Sequence, residues 1–151
     1  MSKATAPRAP SPRARSRARR AAVQAVYQWQ MTNATPEEVE AQFKENPEFA
    51  KADTDYFHAL IHGLIAELES VDQALAPVLN RPVAQVDPVE RAVLRLACFE
   101  LMYREDIPWR VVINEAVDLA KVFGAEQGHR FVNGVLDRLA KTCRDTSPAP
   151  D

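Results

Sequence analysis

Apolar residues recur at helical spacing along most of the chain, and no alternating run is long enough to predict a strand. The first predicted helix, residues 16–31, has apolar residues at spacings of four, three and four. These residues are Ala18, Ala22, Ala25 and Trp29. The pattern therefore predicts an all-α fold.

Cap signals mark where the next helices begin. Thr35 precedes Pro36 and two glutamates, which is typical of a capped first turn. A third helix is predicted to begin near Asp53 or Thr54 and to break near Ser70. We therefore expect a first bundle over about residues 16–79.

The second half has a strong helix start at Asp87-Pro88, where Glu90 occupies the position of a capping-box glutamate. The helix that follows is apolar on nearly all sides, so we expect it to be buried centrally. Two further helices are predicted, one opened by Ile107-Pro108 and one over about residues 126–143. Gly134 would permit a close helix crossing.

These elements predict roughly six or seven helices arranged as two three-helix bundles. The bundles span about residues 16–79 and 87–143 and lie within one domain, residues 13–144. The proline-containing ends, 1–12 and 145–151, are predicted to be disordered tails.

Composition agrees with a globular fold, since 46% of the 151 residues are hydrophobic and 26% are charged. The net charge of −2 hides an asymmetry. Residues 1–20 hold seven Lys or Arg and no acid, whereas residues 21–151 hold the other 12 basic residues and all 21 acidic ones, so the segments carry +7 and −9. A basic arm on an acidic body is typical of a protein that meets a polyanion. We expect the arm to be removable without loss of the fold.

Several chemistries are not supported by any motif. The chain lacks a membrane-length apolar run, a Cys-x-x-Cys pair and a glycine-rich phosphate loop. Cys98 and Cys143 are expected to be buried, reduced thiols. His58 and His62 are four residues apart but lack the glutamate of a zinc-protease motif, so no metal site is predicted.

Glu100 and Glu115 lie on mostly apolar helices, and a buried carboxylate is usually paired with an arginine. We expect the partner to come from nearby in the sequence. The nearby arginines are Arg91, Arg95 and Arg104.

Nucleic-acid binding has better support. Arg17, Arg20, Gln24 and Tyr27 form a stripe beside the apolar face of the first helix, and Arg130, Phe131 and Asn133 open the last one. Arginine binds phosphate and stacks on bases, and unpaired RNA bases stack on aromatic rings. The apolar stripe of the last helix is complete without Phe131, so we expect Phe131 to be partly exposed. A solvated tail or a targeting sequence is the alternative for the arginines.

Four segments carry a resemblance to the NusB family of bacterial transcription antitermination factors. They are RRAAVQAVYQWQ at 19–30, VERAVLRLACFEL at 89–101, DIPWRVVINEAVDLAKVFG at 106–124 and FVNGVLD at 131–137. The resemblance runs in order from about residue 17 to residue 141. The long Pro/Ala tail before Arg13 is not part of the family's usual pattern.

The resemblance implies two three-helix bundles and a cytoplasmic protein with no catalysis, no cofactor and no metal. It implies binding of boxA, a short single-stranded element of ribosomal RNA leaders, together with NusE, a small-subunit ribosomal protein. NusA, NusG and RNA polymerase would complete the antitermination complex.

The resemblance also implies site residues, which are carried over by position. The RNA-binding set is Arg13, Arg15, Arg17, Arg19, Arg20, Gln24, Tyr27, Arg95, Gln127, Arg130, Phe131 and Asn133. Gln127 is neutral where relatives often carry an acid, which should repel phosphate less. Glu90 is expected to face NusE while also capping its helix.

Two rival functions are considered. One is an RNA-binding domain related to ribosomal RNA methyltransferases, which append a Rossmann-like catalytic domain that we do not expect in this chain of 151 residues. The other is a structural helical protein with a basic targeting arm. Whether the chain is a monomer or a homodimer is not predicted.

Overall fold

The computed structural model describes residues 11–147, which form seven α-helices and no strand. The helices are α1 (Pro12–Met31), α2 (Pro36–Lys44), α3 (Thr54–Ala66), α4 (Leu68–Leu75), α5 (Pro88–Tyr103), α6 (Trp109–Phe123) and α7 (Gly128–Cys143). Short 3-10 helices occupy Pro47–Lys51, Ala76–Val78 and Val83–Gln85. The predicted all-α class is confirmed, and none of the helices described is long and apolar enough to cross a bilayer.

The predicted helix caps are present. The Thr35 hydroxyl accepts a hydrogen bond from the Glu38 N–H at 3.1 Å. The Asp87 carboxylate accepts from the N–H groups of Val89 and Glu90 at 3.1 and 3.2 Å. Because these caps satisfy backbone donors that a helix leaves free, they fix where α2 and α5 begin.

Two boundaries differ from prediction. Helix α1 begins at Pro12, four residues before residue 16, because the Ser11 side chain caps it by accepting from the Ala14 N–H at 3.0 Å. The break expected near Ser70 lies at Glu67, which leaves helical geometry at φ −107° and ψ 19°. The predicted tails fall mostly on residues 1–10 and 148–151, which lie outside the described residues.

Helix α1 packs against α3 on one side and α5 on another, so it belongs to the cores of both halves. Small residues on its buried face allow this close approach from two directions. They are Ala18, Ala22 and Ala25, none of which is exposed.

Helix α5 is the central helix of the second half, as predicted, and α6 and α7 pack against it. Nine of its residues are buried, from Ala92 to Leu101. Cys98 is among them, whereas Cys143 at the end of α7 is only half-buried; both are free thiols. Burial raises the pKa of the Cys98 thiol well above its usual value.

The close helix contact lies at Gly63 and not at Gly134, so that prediction was wrong. A Cβ atom at Gly63 would overlap Cζ of the Phe99 ring, which is buried between α3 and α5. A Cβ atom at Gly134 would have an Arg138 nitrogen of the same helix as its neighbour, at 3.6 Å. Gly134 therefore lies on an open face of α7.

We expect Gly63→Ala to lower the free energy of unfolding by about 1–3 kcal/mol, because the added methyl group would displace the buried Phe99 ring. Gly134→Ala is the matched control. It should leave stability unchanged or raise it by up to ~1 kcal/mol, since alanine favours a helix. Urea denaturation followed by circular dichroism measures both, and equal effects would contradict the assignment of the close contact to Gly63.

Candidate nucleic-acid interface

A buried ion pair joins α1 to α5. The Arg19 guanidinium donates from Nε to both carboxylate oxygens of Glu100 at 3.0 Å and from Nη2 to Oε2 at 2.9 Å. The two side chains are only 5% and 4% exposed. The Tyr56 hydroxyl of α3 also donates to Glu100. Three helices thus meet at one carboxylate.

This pair corrects two expectations. The resemblance assigns Arg19 to RNA binding, but its donors are committed inside the core. Sequence proximity favours Arg91, Arg95 and Arg104 as partners of Glu100, but the partner is 81 residues away in the sequence. Burial acts to lower the pKa of Arg19, yet the hydrogen bond and charge of Glu100 outweigh it and raise that pKa, so the guanidinium stays charged.

The described part of the basic arm, residues 11–20, is consequently part of the fold. Ala18 and Arg19 are buried, so removal of residues 1–20 would take away core packing as well as charge. The expectation that the arm can be removed without loss of the fold was therefore wrong.

The exposed side of α1 carries Arg13, Arg17, Arg20, Gln24 and Tyr27. Arg15 is half-buried, and its guanidinium lies 4.9 Å from the centre of the Tyr56 ring. Helical geometry explains the division, since the exposed residues follow one another at steps of three or four beside the buried stripe. The predicted stripe of Arg17, Arg20, Gln24 and Tyr27 is thus brought together on one exposed side of α1.

Part of this stripe lines a cleft between α1, α2 and the 3-10 helix that follows α2. The cleft has a volume of about 320 Å³, and we call it the basic cleft. Its lining includes Arg17, Arg20 and Gln24 from α1, with Phe43 and Lys51 opposite. Sequence reasoning missed Lys51, because an isolated lysine in a connecting segment shows no periodicity that would pair it with α1.

A second surface lies between α6 and α7, where Arg130 and Asn133 line a groove with Lys121, Asn114 and His129. We call it the polar groove, and Asp118 also lines it. Gln127 is exposed just before α7 and does not line this groove. Lys121 was also missed, because a lysine in the last turn of an amphipathic helix is common and does not by itself indicate a binding site.

Phe131 is half-buried, so the expected partial exposure is confirmed. The Arg81 guanidinium, from the segment that connects the two halves, lies over its ring at 5.2 Å from the centre, which is a cation–π contact. Arg81 was not among the predicted residues. Unpaired bases stack both on aromatic rings and on arginine planes, so a base can stack on the guanidinium here or displace it from the Phe131 ring.

The C-terminal turn of α6 approaches both surfaces. Arg20, which lines the basic cleft, also lies over the Phe123 ring at 5.5 Å from its centre. Lys121, two residues earlier, lines the polar groove. The basic cleft and the polar groove are therefore adjacent at the C-terminal end of α6.

Arg95 is not brought to these surfaces. Its guanidinium donates to both carboxylate oxygens of Asp72 at 3.0 and 2.9 Å and to the Gln30 side-chain oxygen at 3.0 Å. These bonds engage it between α1, α4 and α5, so its predicted RNA contact finds no support in the geometry.

Glu90 lies in the first turn of α5, and its side chain points at the start of α7. A Cβ atom at Gly128 would lie 3.1 Å from the Glu90 carboxyl carbon. Burial, followed by the charge of Asp87, raises the pKa of Glu90. The carboxyl group therefore packs beside the start of α7, while the cap hydrogen bonds described at α5 are accepted by the Asp87 side chain.

The comparisons with known proteins agree with one another. A sequence model of the NusB family matches residues 16–141. The chain is 52% identical over 134 residues to the transcription antitermination protein NusB of Alcanivorax borkumensis, covering 89% of each chain.

Solved structures show the same fold. A structure of Thermotoga maritima NusB superposes with a TM-score of 0.75 at 33% identity, covering 88% of this chain and 93% of that one. A crystal structure of the antitermination factors NusB and NusE in complex with dsRNA gives 0.76 at 27% identity, covering 87% and 99%.

The buried pair leads to a stability prediction. Arg19→Ala should lower the free energy of unfolding by about 3–5 kcal/mol, because it leaves Glu100 charged and unpaired in the core. Arg17→Ala, on the exposed side of the same helix, should change it by no more than ~0.5 kcal/mol. Urea denaturation of both variants measures the difference, and an effect no larger for Arg19 than for Arg17 would contradict the role of the pair.

Proposed function

Because the chain belongs to the NusB family, we propose that it is a transcription antitermination factor that binds boxA RNA of ribosomal operons together with NusE. Relatives carry the name of transcription antitermination protein, and one structural relative is a complex of NusB and NusE with dsRNA. The choice of boxA as the RNA follows from the family resemblance.

The observation that carries the proposal is the basic cleft. Among the side chains that the structure describes there, its lining holds three cations, Arg17, Arg20 and Lys51, and no acid, although residues 21–151 carry a net charge of −9. Local positive charge on an otherwise acidic protein directs a polyanion to one place. Phosphate contacts of this kind supply affinity without sequence preference.

Base recognition is assigned to the side where α7 begins. Phe131 offers an aromatic face with Arg81 over it, and Asn133 in the polar groove offers an amide that can both donate and accept. Unpaired bases are recognised by such stacking and edge contacts. Arg130 and Lys121 supply the phosphate contacts there.

The NusE contact is assigned to the start of α5. Val89, next to Glu90, lines an apolar groove with Tyr27, Met31 and Phe123. Tyr27 and Met31 are 39% and 56% exposed. An exposed apolar groove with a carboxylate on the next residue of the same helix suits a basic ribosomal protein. Tyr27 then stands between the RNA-binding stripe and the protein-binding surface.

The proposed protein is a binding factor that works in the cytoplasm and not an enzyme, and it requires no cofactor. Its complex with NusE and RNA would join NusA, NusG and RNA polymerase. The targeting-arm alternative is weaker, because the arginines from Arg13 onward lie on a helix anchored by Arg19. No observation specifically favours the methyltransferase-related alternative.

Two kinds of RNA contact should separate in binding measurements. Arg17→Ala and Lys51→Ala should weaken boxA and a scrambled RNA of equal length alike, and each should reduce the salt dependence of log K by about one, because each removes one phosphate neighbour. Phe131→Ala should weaken boxA more than the scrambled RNA, by ~1–3 kcal/mol, because a base can no longer stack on the ring. Fluorescence anisotropy titrations over a range of salt measure both.

Arg110→Ala is the matched control, since it removes an exposed arginine at the opposite end of α6. It should leave both affinities unchanged. A double-stranded form of boxA, included in the same series, tests whether unpaired bases are needed. If Phe131→Ala weakened the binding of boxA and of the scrambled RNA equally, the assignment of a base contact to Phe131 would be contradicted.

Glu90→Lys should weaken binding of NusE about tenfold, because it reverses a charge facing a basic protein. Glu69→Lys, an exposed position on α4, should have no effect. Surface plasmon resonance measures the affinities and far-UV circular dichroism the helix content. Loss of the helical signal in Glu90→Lys would show that the residue acts through the cap of α5 and not through NusE.

A further inference from the structure

Glu40, His58 and His62 converge where α2 packs on α3, and the proposed function uses none of them. We propose that these three side chains bind a divalent transition-metal ion of the zinc type. The site links α2 to α3 through two imidazole nitrogens and one carboxylate.

The donor atoms are already close together. Nδ1 of His58 lies 2.8 Å from Oε2 of Glu40, and Nε2 of His62 lies 3.2 Å from Oε1. All three donors lie within 4.8 Å of one another. Four-coordinate zinc with bonds of about 2.0–2.1 Å places its ligands roughly 3.3 Å apart. After small rotations of the side chains, an ion can therefore take the place of the protons in the hydrogen bonds between Glu40 and the two histidines.

The helices hold the ligands in place before any ion binds. His58 and His62 are one turn apart on α3, and their rings stack with centres 4.0 Å apart at an interplanar angle of 25°. Glu40 is 7% exposed and approaches from α2, where its neighbour Val39 is buried in the core. Because little freedom remains to be lost, binding costs little conformational entropy.

The donor set decides the class of ion. Imidazole nitrogen suits zinc, copper, nickel and cobalt, whereas magnesium and calcium prefer oxygen ligands only. Two histidines and one glutamate leave a fourth position for water. The His58 side chain is 58% exposed, so an ion can reach the site from solvent. The consequence is a cross-link between α2 and α3 that stabilises the first half.

The test is a titration of the full-length, untagged protein with Zn²⁺ by isothermal calorimetry, with Co²⁺ absorption as a second measure of ligand geometry. We expect one ion per chain and a thermal midpoint raised by roughly 5–10 °C when zinc is at a hundredfold excess over its dissociation constant. Glu40→Gln, His58→Gln and His62→Gln should each weaken binding at least tenfold.

The chain has one further histidine, His129 in α7, so His129→Gln is the matched control and should bind as tightly as the unchanged protein. Circular dichroism checks that each variant is folded. Glu40→Gln keeps the shape of the side chain and covers the case in which a histidine variant unfolds. Absence of zinc binding, or binding that survives Glu40→Gln and is lost in His129→Gln, would overturn the proposal.

Discussion

The buried pair between Arg19 and Glu100 is the constraint on which the arrangement of the molecule depends. Two opposite charges can be buried only when their geometry compensates the loss of hydration, and here the carboxylate receives donors from both Arg19 and Tyr56. The rotation of α1 about its axis is thereby fixed. With Arg19 turned inward, Arg17 and Arg20 must face the basic cleft.

Much of the fold was predictable because it rests on local physics. Caps at Thr35 and Asp87 and the apolar face of α5 depend on residues within a turn or two of one another. What was missed depends on contacts distant in sequence. Arg19 looks like its arginine neighbours until its partner 81 residues away is known, and Lys51 gains meaning only when its segment folds beside α1.

The site shows how little a net charge says about binding. The basic cleft is lined by cations from two segments that are distant in the sequence, Arg17 and Arg20 on α1 and Lys51 after α2. Residues 21–151 nevertheless carry a net charge of −9. The stripe on α1 was predictable from helical spacing, whereas Arg81 and Lys121 were not, because each meets its neighbours through tertiary packing. Aromatic rings accompany the cations at Phe123 and Phe131, so the surface offers stacking as well as charge.

The sequence distance within the buried pair also bears on how the chain folds as the ribosome makes it. Helix α1 emerges early, yet Arg19 has no Glu100 carboxylate to pair with until 81 further residues have been added. At ordinary synthesis rates of about 5–20 residues per second, that delay is roughly 4–16 s. During that interval an unpaired Arg19 guanidinium opposes burial of the inner face of α1, because a charge without its partner is costly to desolvate, and this favours completion of the first half only after α5 has left the exit tunnel.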